Sequence, residues 1–236
     1  DNPADGALTI NLDNGETITI ADGASSGSVT FLAPDDVYQG GNDFDVAIDS
    51  TSGGNFEQLI TNDVANITVN DDLDTTTISI DDVTVDEGSG TATIDASVDN
   101  APETDLTITL SNGATIVIAA GETTGTSSAF AIQGDDPYVD GSVETLTIDS
   151  TAGGNYEQLD ATDTALVTVE DTIDATTVSF NDPVVDEGGN ITLTATLDNP
   201  ADGALTINLD NGETITIADG ASSGSVTFLA PDDVYQ

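Results

Sequence analysis

One segment of 39 residues occurs twice, letter for letter: residues 1–39 (DNPADGALTINLDNGETITIADGASSGSVTFLAPDDVYQ) return as 198–236, a period of 197. Inside that period lies a looser repeat. IDSTSGGNFEQL at 48–59 comes back as IDSTAGGNYEQL at 148–159, and DDVTVDEGSG at 81–90 as NDPVVDEGGN at 181–190, both displaced by 100 residues. A chain built this way folds as units of about a hundred residues, with two alternating variants making the longer period. The Asp-rich segments NDDLDTT (70–76) and EDTIDATT (170–177) are the expected seams. Residues 1–72 then form the back of one domain, 73–172 a whole domain and 173–236 the front of a third, a fragment cut from a longer array.

Within one unit, short runs alternate with period two: TTTISI, GTATIDASV, DLTITL, ATIVIA, SSAFAI, ETLTID and ALVTVE. In ITLTATL, Ile191, Leu193, Ala195 and Leu197 share one face and Thr192, Thr194 and Thr196 the other. Seven short strands parted by Asn-Gly, Asp-Gly and Gly-Gly turns, without helical periodicity, predict an all-β, seven-stranded sandwich of immunoglobulin type, repeated in tandem as an elongated array.

Charge then narrows what such domains do. The chain has 45 Asp and Glu and no Lys, Arg or His, for a formal charge of -45. No side-chain salt bridge forms, and self-repulsion is relieved only by cations from solution or by bound metal. Nucleic acid and anionic membrane surfaces, which are held through Lys and Arg, are excluded as partners. With no Cys and no His, the strong metal ligands that remain are carboxylate and carbonyl oxygens, which select hard cations such as Ca2+. No apolar run approaches the roughly 20 residues of a membrane helix.

Strand parity says where the acids gather. If strands run alternately up and down, one end of the 73–172 domain collects Asp86 and Glu87 after the first strand and Asp135 and Asp136 after the fifth. Glu170 and Asp171 close the last strand there, followed by Asp174 in the seam, and the next domain offers Asp198. The same logic groups Asp35, Asp36, Asp71 and Asp74 with Asp99 and Asp149 at the first seam. Asp186, Glu187, Asp232 and Asp233 form an incomplete third cluster. Calcium takes six to eight oxygens in flexible geometry and suits such clusters. The plain alternative, Asp as turn former, is the better reading for Asp13-Asn14-Gly15, but not for paired acids that recur at both seams. Glu57 and Glu157 either join a junction or face solvent. Tyr38, Tyr138, Phe56 and Tyr156 are expected to pack at the ends of the core.

Two motifs carry less. GGNDFDVAI at 40–48 approximates the glycine-rich calcium nonapeptide of β-rolls, but a β-roll needs stacked copies. Asn66-Ile67-Thr68 and Asn190-Ile191-Thr192 match the glycosylation sequon inside predicted strands.

A DEG turn, a DDxY loop and an Asp-rich seam together resemble the calcium-dependent extender repeats of giant RTX adhesins, biofilm-type surface proteins of Gram-negative bacteria. The resemblance covers the whole chain. It is similar in its logic to cadherin and Calx-β modules, in which a Glu after the first strand, acids after the fifth, an acidic linker and acids of the following domain hold calcium. By position this matches Glu87, Asp135 and Asp136, Asp171 and Asp174, and Asp198; the full cadherin linker motif is absent. The resemblance implies a spacer on the bacterial cell surface, exported by a type I system. It would be anchored elsewhere in the protein and stiffened by calcium at each junction. Its partners would be neighbouring repeats of the same chain, with no membrane insertion by this fragment and no small-molecule substrate. An enzyme is disfavoured, because catalysis needs one asymmetric pocket rather than the same acids repeated along an array. The rival reading is a glycan- or surface-binding adhesive module. Its signature would be exposed aromatics, yet the chain has four Tyr, six Phe and no Trp.

Overall fold

The computed structural model describes residues 2–232. Apart from one three-residue 3-10 turn at Glu87–Ser89, their regular structure is all β, and the fold is that of tandem immunoglobulin-like sandwiches. The chain forms two compact units. One takes in the chain through Asp81 with Ile94–Ser128 and Leu146–Ala165; the other holds Asp82–Thr93, Ala129–Thr145 and the chain from Leu166 onward.

In the first unit, strands Thr124–Thr126, Asp95–Val98, Thr75–Ile80 and Gln158–Asp160 form one sheet in that order. Its last pair is parallel and the others antiparallel. A second sheet carries the hairpin Leu106–Leu110 and Thr115–Ile118, extended by the strand Ser142–Gly153 through Ile148–Gly153. Alternation works as the sequence predicts: Thr76, Ile78 and Ile80 point inward while Thr75, Thr77 and Ser79 face water. Ile78, Ile94, Leu106, Ile108, Ile116, Ile118 and Leu146 are fully buried, and their removal from water is the main stabilising term of this core. The same unit holds an antiparallel sheet in the order Thr17–Ile20, Leu8–Leu12, Phe44–Gly53, Val64–Ile67. The nonapeptide-like run at 40–48 thus enters an antiparallel strand rather than a β-roll.

In the second unit, Val83–Asp86 lies parallel to Val167–Glu170. Val178–Phe180, Asn190–Leu197 and Ser223–Leu229 form an antiparallel sheet, and Leu205–Asn208 pairs with Thr214–Ile217. Ala195, Leu197, Ile215 and Ile217 centre the core there, with Leu193, Ile207, Leu209 and Val226 packed against them.

Alternation predicts fewer and longer strands than form. GTATIDASV breaks into Thr91–Ala92 and Asp95–Val98, and the run beyond Thr115–Ile118 into Thr124–Thr126 and Phe130–Ala131. The interruptions answer each other. The Ser127 N–H donates to the Ile94 carbonyl at 2.8 Å, and its Oγ accepts the Ile94 N–H at 2.9 Å. The predicted first strand likewise stops at Ile80 and resumes at Val83. There Asp82 Oδ1 accepts the Leu166 N–H at 2.7 Å and pins the second piece to its parallel partner.

The identical 39-residue segments do not form identical structure. Leu8–Leu12 is paired on both edges, whereas among the described residues Leu205–Asn208 is paired on one. Leu8 is accordingly 4 % exposed and Leu205 38 %. Ser223–Leu229 is a strand, while its counterpart 26–32 is not.

Each Gly-Gly-Asn turn ends a long strand in left-handed backbone: Gly153, Gly154 and Asn155 have φ of 85°, 86° and 61°. A Cβ on Gly154 would also sit 2.6 Å from the Tyr156 ring. Gly154→Ala is therefore expected to destabilise the first unit by about 1–3 kcal/mol, read as a lowered melting temperature. An unchanged melt would mean the ring moves aside without cost.

Candidate metal centres

The 3-10 turn after Val83–Asp86 carries Glu87 inward, and the whole side chain is buried. Its Oε1 accepts the Thr172 N–H at 3.1 Å. The Thr172 hydroxyl lies 3.2 Å from that oxygen and 2.7 Å from Asp135 Oδ1, within donating reach of both carboxylates. Glu87 Oε2 is buried without a hydrogen-bond partner. Carboxylate oxygens of Glu87, Asp140 and Asp171 all lie within 4.8 Å of one another. An ionised carboxylate buried without compensation costs several kcal/mol, and no side-chain cation exists in this chain to supply it. Three carboxylates, one of which carries a buried oxygen without a partner, fit a hard divalent cation.

At the first seam Asp35, Asp72 and Asp74 form a second group with oxygens within 4.8 Å of one another. Glu157 stands beside it. Its Oε2 accepts the Asp74 N–H, and its Oε1 is buried without a partner. That bond lowers the pKa of Glu157, but desolvation and then Asp71 and Asp74 outweigh it, leaving the carboxyl above its ordinary range. Asp35, although exposed, is held above the usual range by Asp72 and then Asp74.

Of the acids singled out from sequence, the structure thus brings together Glu87 with Asp171, Asp135 beside them through Thr172, and Asp35 with Asp74. It adds Asp72, Asp140 and Glu157, while Glu57 is exposed. Asp71 Oδ2 accepts the Gly40 N–H at 3.0 Å, and Asp171 Oδ1 accepts the Asp140 N–H at 3.4 Å. The remaining acids lie outside both three-carboxylate groups. Asp36 and Asp136 close tight turns onto the N–H groups of Tyr38 and Tyr138, each at 2.9 Å. Asp99 and Asp198 accept the N–H groups of Thr77 and Thr177 at 2.9 and 2.8 Å. Asp149 is exposed at a shift of strand register between Ile148 and Ser150. Asp86 is exposed opposite Glu170, and Asp174 is exposed in the seam. Asp186 and Glu187 are exposed, with Asp232 packed near Gly188, as Asp135 approaches Gly88. Asp233 lies outside the described residues.

Tyr38 and Tyr138 reach across the seams instead of ending a core. The Tyr38 hydroxyl donates to the Ala101 carbonyl, and that of Tyr138 to the Pro200 carbonyl at 2.9 Å. The Tyr38 ring stacks on Tyr156, centroids 5.8 Å apart at 29°. Burial pushes the Tyr156 hydroxyl up to about 12.

The family known as the LapA domain matches residues 1–72, 74–172 and 174–236. No curated protein matches the chain. Among solved structures it is similar to CBD12 from CALX1.2, at 12% identity over 67% of this chain and 76% of that one, TM-score 0.34. A second is the calcium binding domain CBD12 of CALX1.1, at 14% identity over 64% and 74%, TM-score 0.33. A third is the I9–I11 tandem from titin, at 12% identity over 80% and 70%, TM-score 0.23. None of these overlays is close enough to bear on function.

The crowded carboxylates set a pH dependence for the metal-free chain. An acid raised in the folded state, as Asp35 is, adds stability as pH falls from its raised value towards about 4 and withdraws it at higher pH. Asp36 and Asp198 are lowered, chiefly by the Asn42 amide and the Thr177 N–H, and lose their contribution only below about pH 4. Melting temperature in metal-free buffer should therefore be highest near pH 4–5 and fall towards pH 7, with added salt flattening the slope. A melt that rises steadily to neutrality would contradict it.

Proposed function

The chain belongs to the LapA domain family, and from that premise we propose that it is an extender segment of a bacterial surface adhesin, stiffened by Ca2+ bound at the seams between repeats. LapA is a large biofilm adhesin. The observation that carries the calcium reading is Glu87: a wholly buried carboxylate with one oxygen unpartnered, grouped with the carboxylates of Asp140 and Asp171, in a chain with no cationic side chain. Glu87, Asp140 and Asp171, with Asp135 adjacent, would hold one ion. Asp35, Asp72, Asp74 and Glu157 would hold another. The ion would supply the positive charge that lets these carboxylates crowd together. Removing it would leave only their repulsion.

On this reading residues 1–72, 73–172 and 173–236 are successive repeats whose partners are one another. The role is mechanical and extracellular: such a segment carries an adhesive domain away from the cell rather than performing catalysis. No helix among the described residues is long and apolar enough to cross a membrane.

Extracellular calcium modules bind at roughly 0.1–1 mM, so 10 mM Ca2+ should stabilise the folded chain by about 1.4–2.7 kcal/mol per site. The Glu87→Gln variant separates metal binding from packing. In chelator it should be at least as stable as the parent, because a neutral amide replaces a buried lone carboxylate. In calcium it should be less stable, and calorimetry should lose one binding site. Melting temperatures that do not respond to calcium, or a Glu87→Gln variant that responds as fully as the parent, would refute the site. Small-angle scattering tests the mechanical part: chelation should shorten the maximum dimension, and an equal dimension with and without calcium would leave the seams unstiffened by the ion.

A further inference from the structure

The first and last strands of the stretch 74–172 run parallel to each other, and acidic side chains tie them at both ends of each backbone ladder between them. In the first unit Thr75, Thr76 and Thr77 face Gln158, Leu159 and Asp160. Beyond this ladder the Ile80 N–H donates to Asp163 Oδ2 at 2.9 Å, and ahead of it the Asp74 N–H donates to Glu157 Oε2. In the second unit Val83–Asp86 faces Val167–Glu170. Ahead of that ladder the Leu166 N–H donates to Asp82 Oδ1 at 2.7 Å, and after it the Thr172 N–H donates to Glu87 Oε1 at 3.1 Å. The exchange is reciprocal. In the first unit the last strand supplies both carboxylates and the first strand both N–H groups; in the second unit the roles are reversed. All four positions are acidic in the other variant too, as Glu57, Asp63, Asp182 and Glu187. Turn formation, which accounts for Asp36 and Asp136, does not account for these, since each reaches a residue 83 to 85 positions away.

We propose that these carboxylates make the parallel pair the load-bearing element of the repeat when the chain is pulled along its length. Tension that enters at Asp74 is carried by the first strand and leaves at Thr172 on the last, so it must cross from one strand to the other. In a parallel pair the two loaded ends lie at opposite ends of the ladder, and its bonds are strained together rather than one after another. Rupture then starts at the outermost bonds, which are the positions the carboxylates occupy. A hydrogen bond to an ionised acceptor is roughly twice as strong as a neutral backbone one, so the ends are held more firmly than the ladder itself. Asp82 and Asp163 do this where no ion is implied, since both lie outside the three-carboxylate groups. The inference rests on the mechanical half of the function proposed above, tension along the chain, and not on calcium.

The full chain is held by its two termini in optical tweezers at constant force, and the unfolding of 74–172 is timed by the length it releases. Forced unfolding reads the unfolding rate, and losing a hydrogen bond to a charged acceptor should raise that rate about tenfold for Asp82→Ala and for Asp163→Ala. Asp82→Asn keeps a neutral acceptor oxygen; it should fall between the parent and Asp82→Ala, and it replaces the alanine variant if that one does not fold. Asp105 is the control. Its Oδ1 accepts the Ala120 N–H at 3.0 Å, a bond of the same kind that joins neither of the two strands. A bond still intact when the pair ruptures does not alter the unfolding rate, so Asp105→Ala should lower the melting temperature to a similar degree yet unfold under force as slowly as the parent. The same ratios are expected in chelator and in calcium, so a failed ion reading leaves them unmoved. Asp82→Ala and Asp163→Ala chains that unfold under force no faster than the parent overturn the proposal, as does an Asp105→Ala chain that unfolds as fast as they do.

Discussion

No side chain in this protein carries a positive charge, so each carboxylate that is buried or crowded must be stabilised by an N–H, by a hydroxyl or by something from solution. The structure uses the first means widely. Asp36, Asp71, Asp99, Asp136, Asp163 and Asp198 each accept a backbone N–H, and these bonds tie loops to strands that an uncharged Asn would hold less firmly. The acidity that repels across the whole molecule is thereby also the local cement of its turns. Backbone donors run out where acids converge, at Glu87 and Glu157, and the two buried side-chain oxygens without a hydrogen-bond partner among the described residues are found there.

Much of this was legible in the repeats. The hundred-residue offset and the period-two runs predict the sandwiches, and strand parity predicts that Glu87, Asp135 and Asp171 meet. The same reasoning passed over Asp72 and Asp140 for a definite reason. It weighted acids that recur, and the counterpart of Asp72 is Thr172 while that of Asp140 is Gly40. The two seams therefore differ in chemistry. One places three carboxylates of the loop and linker together; the other substitutes a hydroxyl for one linker acid and adds an acid on the loop. Asp36, Asp136, Asp99 and Asp198 recur as well, and each holds the backbone N–H of a recurring turn or strand start.

The broken strands mark where sequence alternation alone is insufficient. GTATIDASV keeps its alternation through Thr93 and Ile94, yet the ladder is interrupted there because Ser127 satisfies both backbone groups of Ile94. That exchange links residues 33 apart and leaves no mark on local propensity. Patterning fixes which face turns inward, and tertiary partners decide which residues are strands at all.

Tyr38 and Tyr138 show how a seam is held apart from any ion. Each hydroxyl donates to a main-chain carbonyl of the following repeat, Ala101 in one case and Pro200 in the other. A carbonyl acceptor is indifferent to the side chain that bears it, so the contact survives sequence drift between the two variants. The aspartate that shapes each tyrosine turn, Asp36 or Asp136, stands next in sequence to an acid of the cluster, Asp35 or Asp135. A directional, uncharged contact and a set of mutually repelling carboxylates thus act on the same few residues. The first draws the repeats together, while the second opposes it. Contact at each seam is thus supplied without charge, by a hydroxyl and a main-chain carbonyl.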